Sequence, residues 1–420
     1  MKTTLICLAA IALSVTAEPI QRIPLFYKRS SGEDFRSVEG QVLKNGMLGG
    51  VVQIGNPPKN FTMAFDTSTG FSWVRGEQCG DANCQGRNSY DARNSTTAIS
   101  TGRSFTKDYG KGIVYSTIYA DTFQFSDITV KNMTFGGAYR MENFDEGFDG
   151  FLGLGRNVNL NITNVKYAKR DVPPPGFVQA AFQQTYGLQS SQFGMYTTSV
   201  GSGFSDSGSV PASPGQSSNP VTSGGFGFAK RSLDEPAGYL VIGGIDTDAI
   251  KGKLYNINAN EDTGSGNWAV PVRQAEFEDD LEFEVDKNAN AVLSTSTDVI
   301  GLPNKQADEF QKHWYAEYDE PDNTFMIPCC LMDRLTAFNI QFGGVKVSIP
   351  PSYWSHPREV NSCCELCRTH IGRSDSDTDY VIGSALTNAF YSQFDSESNK
   401  IGLAMKKSHI EDDGLELYEA

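Results

Sequence analysis

The chain has 420 residues, 39% hydrophobic and 20% charged, with a formal net charge of −15. That composition excludes a disordered or fibrous chain and supplies enough apolar residues for two cores. The acidic balance excludes nucleic acid and anionic membrane surfaces as natural partners.

The first residues read as an export signal. Lys2 precedes the apolar run Leu5 to Leu13, and Val15-Thr16-Ala17 offers the small residues a signal peptidase needs, so a signal peptide is predicted over 1–17. The run is too short for a permanent anchor. Residues 18–40 are expected to form a short pro-segment and lead-in, with a dibasic site at Lys28-Arg29. Loss of residues 1–29 removes four bases and one acid, which moves the charge from −15 to −15 − 4 + 1 = −18. Four N-glycosylation acceptors follow, at Asn60, Asn94, Asn132 and Asn161. These features point to a secreted or extracellular glycoprotein, with a vacuole or cell wall as other destinations. No later stretch reads as a membrane helix, and the acidic C-terminus carries no lipid-anchor tail.

Short runs rich in Val, Ile, Thr, Phe and Tyr recur between Gly, Asn, Asp and Pro, so the fold is predicted to be mostly β. Strands are expected at Val51 to Ile54, Phe61 to Phe65, Ile113 to Tyr119, Asp127 to Phe135, Tyr239 to Gly243 and Val345 to Ile349. Helical patterns occur at Phe177 to Tyr186, Lys305 to Tyr315 and Leu386 to Phe390. The Ser, Gly and Pro residues of Val200 to Gly225 read as a solvated insertion or linker. The predicted organisation is a first lobe over 41–190, a linker over 191–225, a second lobe over 226–406 and an acidic tail over 407–420.

Eight cysteines are present, and Cys7 would leave with the signal. Cys79 and Cys84 would close a small loop. Cys329, Cys330, Cys363, Cys364 and Cys367 could supply two more bridges and one leftover thiol, which would allow a disulfide-linked dimer of an otherwise monomeric protein. Zinc is the alternative for this cluster, but export favours disulfides, and neither a metal nor a cofactor is expected.

Residues 63–74 read MAFDTSTGFSWV and residues 291–302 read AVLSTSTDVIGL. Each turn is followed by two apolar residues and a glycine, at Phe151-Leu152-Gly153 and Val381-Ile382-Gly383. The turns lie 294 − 66 = 228 residues apart and the glycine elements 383 − 153 = 230, which predicts two similar lobes. Taken alone, Asp66 could simply cap its own turn through Thr67, Ser68 and Thr69. The duplication favours a paired site, in which two acids sharing a proton act as base toward water and acid toward a carbonyl.

With these motifs the chain resembles the pepsin-like aspartic peptidases, over about Gln41 to Lys406. Supporting stretches are Ile54 to Thr62 before Asp66, Trp73 seven residues after it, the Cys79 and Cys84 loop, YLVIGGID over 239–246 and FDSESNKIGLA over 394–404. Ile23-Pro24-Leu25 resembles the family's start. The resemblance implies an all-β, bilobal acid-protease fold with two six-stranded-type lobes, a cleft between them and a few short helices. It implies that Tyr109, with Gly110 and Gly112, forms a flap over an extended peptide, with Trp73 behind. It implies a small first-lobe disulfide of Cys79 with Cys84, and Thr67 and Thr295 joining the lobes. For Trp73 and Phe71, plain core packing competes with a substrate role.

The departures concern the chemistry. Ser294 stands where the family has its second catalytic aspartate, and Ser68 and Ser296 replace glycines of Asp-Thr-Gly-Ser/Thr; Thr295 and Thr297 remain. Asp298 is the nearest other acid and lies on the far side of the turn. The leading expectation is an inactive or strongly impaired peptidase homologue that keeps a cleft for an extended peptide or protein. The alternatives are an active acid endopeptidase using Asp66 with compensation, and a structural extracellular glycoprotein.

Overall fold

The computed structural model describes residues 21–25, 48–160, 176–197, 238–355 and 363–420, apart from positions 111, 127, 145, 146, 186, 187, 189, 262, 263, 279, 280, 410, 411 and 413. The expected signal peptide, the stretch 200–225, Lys28-Arg29 and Asn161 lie outside the described residues, as does Lys111 of the expected flap.

Alternating burial builds the first lobe. Along Ile113–Phe125, Val114, Ser116 and Ile118 are fully buried while their neighbours are partly exposed, the period of two expected for a half-buried strand. Seven strands are hydrogen-bonded in the order Gly49–Ile54, Lys59–Asp66, Gly150–Gly153, Trp73–Arg75, Ile128–Glu142, Ile113–Phe125 and Ile99–Asp108. Parallel pairing of Lys59–Asp66 with Gly150–Gly153 sets Asp66 beside Gly153. Only glycine allows this approach, because a Cβ at 153 would stand 2.5 Å from the carbonyl carbon of Gly70.

The second half repeats the arrangement. Asn290–Leu293 runs parallel to Tyr380–Ile382, with Leu293 beside Ile382. A Cβ on Gly383 would meet the Thr297 carbonyl oxygen at 2.6 Å. These strands belong to a nine-stranded sheet, and a three-stranded sheet of Glu317–Asp319, Thr324–Pro328 and Leu366–Arg368 stands beside it. Disulfides Cys329–Cys367 and Cys330–Cys363 staple this smaller sheet, Cys79–Cys84 closes the first-lobe loop, and Cys364 is exposed.

A further six-stranded sheet joins the halves. Its order is Gln21–Leu25, Gly238–Ile242, Gln192–Thr197, Phe390–Asp395, Lys400–Lys406 and Ile250–Asn258. The duplication predicted two similar lobes; this joining sheet draws strands from positions hundreds of residues apart, which no local pattern encodes. Among the described residues the α-helices are Phe177–Gln184, Asn304–His313 and Ser384–Ala389, the last wholly buried. Glu416–Glu419 adds an edge strand to Val345–Ile349. No helix among the described residues is long and apolar enough to cross a membrane.

Two buried cations tie distant segments of the chain together. The Lys406 ammonium donates to the carbonyls of Thr387 and Asn388, each at 2.7 Å, and to that of Thr197. Arg156, just after the first glycine element, donates to the carbonyls of Asn260 (2.6 Å) and Asn267 (2.8 Å) and to Asn399 Oδ1 (2.8 Å). Its guanidinium also lies 5.4 Å from the Trp268 ring centroid. Arg156→Met would strand these acceptors, and we expect it to destabilise the protein by about 3 kcal/mol, measured by urea unfolding. Arg156→Lys should recover only part of that loss, since a single ammonium cannot reproduce the planar fork.

Candidate active site

The two repeated turns meet at the junction of the halves through four reciprocal hydrogen bonds. Thr67 Oγ1 donates to the Leu293 carbonyl at 2.7 Å, and Thr295 Oγ1 donates to the Phe65 carbonyl at 2.7 Å. The amide of Thr295 donates to Thr67 Oγ1 at 3.1 Å and that of Thr67 to Thr295 Oγ1 at 3.2 Å. Both threonines are buried, so these bonds are shielded from water. The residues immediately before them, Asp66 and Ser294, occupy equivalent positions.

Asp66 is fully buried at the end of its strand. Its Oδ1 accepts the Ser68 amide at 2.8 Å and the Ser68 hydroxyl at 2.6 Å. Its Oδ2 has no hydrogen-bond partner among the described residues. Burial pushes the carboxyl above its ordinary 3.8, while the two Ser68 bonds, the charge of Lys107 and the Ser296 hydroxyl pull the other way. Across the junction Ser294 is 6% exposed, and its Oγ lies 2.9 Å from Ser296 Oγ. The two serines that stand where the resemblance expects glycine therefore each hydrogen-bond the residue two positions earlier. Thr69 Oγ1 accepts the Phe71 amide and Thr297 Oγ1 the Val299 amide, both at 3.1 Å, closing the turns symmetrically.

Asp298 is 2.7 Å from His370 Nδ1 and is engaged there. That pairing was not legible beforehand, because 72 residues separate the two and His370 sits in no motif.

Above the turns, Ile99–Asp108 and Ile113–Phe125 form a hairpin whose tip carries Tyr109, Gly110 and Gly112. Gly110 has φ +81°, a conformation glycine adopts without strain, and its amide donates to Asp108 Oδ1 at 2.8 Å. Tyr109 packs edge-on against Phe144 and Phe151, with centroids at 5.7 and 5.3 Å. Its hydroxyl accepts the Trp73 indole N–H at 2.9 Å. Burial and the charge of Asp66 push its phenol well above 10.0. Trp73 is 1% exposed, so what it offers the site is the hydrogen bond to Tyr109; Phe71 is likewise buried. Phe144 and Lys107 were not singled out from the sequence, and Phe151 was noted only as part of its glycine element. Lys107 was legible, since it sits two residues before Tyr109 near the end of the strand that leads to it.

The family model described as Eukaryotic aspartyl protease matches residues 48–210 and 216–406. The chain belongs to this family. It is 23% identical over 361 residues to pepsin B of Canis lupus familiaris, covering 85% of this chain and 80% of that protein. It is 24% identical over 358 residues to cathepsin E of Aquarana catesbeiana, covering 84% and 78%. A crystal structure of the aspartic proteinase from Irpex lacteus shares the fold with a TM-score of 0.67 at 18% identity, over 94% of this chain and 99% of that one.

A carboxyl whose folded pKa lies above its unfolded value holds more protons when folded, so its stabilising contribution falls as pH rises from about 3.8 through the folded value. Asp66→Asn keeps an acceptor for Ser68 and carries no charge. We expect it to be at least as stable as the parent at pH 7, with the advantage shrinking on acidification and gone below about 3.8. Urea unfolding between pH 3 and 7 reads this directly.

Proposed function

We propose that this chain is a secreted homologue of the pepsin-like peptidases that holds an extended peptide between its lobes and cuts it poorly or not at all. The observation that carries this reading is the pairing of Ser294 with Ser296 at the position equivalent to Asp66. Peptide hydrolysis of this type uses two roles at once, an ionised base that takes a proton from water and an acid that protonates the carbonyl oxygen. Asp66 supplies one role at a time. A serine hydroxyl stays neutral across the acidic range and cannot supply the other. Loss of one such group lowers a rate by about 10² to 10⁴.

The parts that serve binding are separate from that chemistry. Ile99–Asp108 is the outer strand of its sheet, a position from which main-chain groups can pair with an added strand. Tyr109 and the aromatic rings behind it form an apolar wall. Export is supported by the signal-like start, by the disulfides and by the exposure of Asn60, Asn94 and Asn132. We place the lobes at 41–190 and 226–406 and read the protein as a monomer.

The test is cleavage of denatured globin between pH 2 and 6, with and without pepstatin, by the parent, by Asp66→Asn and by Ser294→Asp combined with Ser68→Gly and Ser296→Gly. The expected result is at least about a hundredfold more cleavage by the triple variant than by the parent. Pepstatin-sensitive cleavage by the parent that vanishes in Asp66→Asn would overturn the proposal and show that one acid suffices.

A further inference from the structure

We propose that Lys107 sets the ligand preference of the cleft, its ammonium recognising a carboxylate side chain of the peptide close to the residue that lies over Asp66. This rests on the peptide-binding reading above and deepens it.

Lys107 is half-buried near the end of Ile99–Asp108, and its Nζ stands 5.5 Å from the Tyr109 ring centroid. That ring is fixed by the Trp73 N–H and by Phe144 and Phe151, so the ammonium rides on a rigid support at the underside of the hairpin. Lys107 shares its strand face with Phe105, whose ring packs on Phe71 with centroids 4.6 Å apart, so it stands on the inner side of the hairpin. Yet the Lys107 side chain has no ion pair or hydrogen bond among the described residues. Three half-buried bases of the second lobe are matched by acids: Lys346 with Glu276, Arg368 with Asp319 and Asp322, and Arg373 with Asp308. A half-buried lysine that makes no ion pair leaves its ammonium available to a carboxylate, the group that meets it best.

The acids around it do not fill that role. Asp66 makes no ion pair with Lys107, and its Oδ1 is committed to Ser68. Asp108 is taken up by the Gly110 amide. Asp298 pairs with His370. Asp375 stands at the hairpin tip, its Oδ2 3.8 Å from where a Cβ on Gly110 would lie, and makes no ion pair with Lys107. Tyr109 stays neutral. A peptide threading between hairpin and floor therefore passes one uncommitted cation inside the cleft.

The experiment measures binding of fluorescent peptides by anisotropy, on one scaffold in which each position in turn is Glu, Gln or Lys. Proteins compared are the parent, Lys107→Glu, Lys107→Met and Lys107→Arg. At one position the parent should favour Glu over Lys by about tenfold or more, with the preference shrinking in high salt. Lys107→Glu should reverse it, Lys107→Met abolish it and Lys107→Arg keep it. A preference unmoved in Lys107→Glu and Lys107→Met overturns this inference while leaving peptide binding intact. Absence of binding by the parent to every peptide overturns the binding reading and this one with it.

Discussion

The structure depends on the exchange between Thr67 and Thr295. Each hydroxyl donates once and accepts once across the junction, and each is sealed from water, so neither turn can move without stranding buried polar groups of both halves. The partners are the carbonyls of Phe65 and Leu293 and the threonine amides. None of these atoms belongs to the side chain at 66 or 294. The junction is therefore indifferent to whether those positions carry acids, and the architecture does not depend on the reaction.

What changes with Ser294 is the electrostatics of the floor. A pair of like-charged acids raises one member's pKa through mutual repulsion. Here the Asp66 carboxyl is raised by burial instead, against the opposing pull of Ser68, Lys107 and Ser296. These two routes have different chemical outcomes. Repulsion leaves one acid charged and one neutral at the same moment, whereas burial of a lone acid leaves it mostly one or the other. The serines at 68 and 296 add to this, since their hydroxyls occupy the inner faces of both turns with local hydrogen bonds.

Much of this was written in the sequence, for identifiable reasons. The Thr-Ser-Thr turns and the glycine elements recur at spacings of 228 and 230, and the duplicated strands followed from that repetition. The glycine elements are local, because a Cβ at 153 or 383 would collide with nearby backbone whatever the rest of the chain does. The six-stranded joining sheet was not legible, because Gly238–Ile242 finds Gln21–Leu25 on one side and Gln192–Thr197 on the other with no shared pattern to announce it. Cysteine pairing among five clustered residues was equally closed, since adjacent cysteines such as Cys329 and Cys330 differ only in which way the backbone turns them. Asp298 looked like a spare acid; only the fold brings His370 to it.

The hairpin shows why binding and cutting are separable in such a molecule. Tyr109 is held by an indole N–H and two rings from the first half, and Lys107 by the same strand, so their positions owe nothing to the residue at 294. Cutting needs two protonation states fixed across the junction; holding a peptide needs an open strand edge, an apolar wall and a matching charge. The second set lies wholly in the first lobe and survives any change in the second turn that spares Thr295. On the reading proposed above, a chain with Ser294 in place of that acid, and with Ser68 and Ser296 bonding locally, lacks the first set alone.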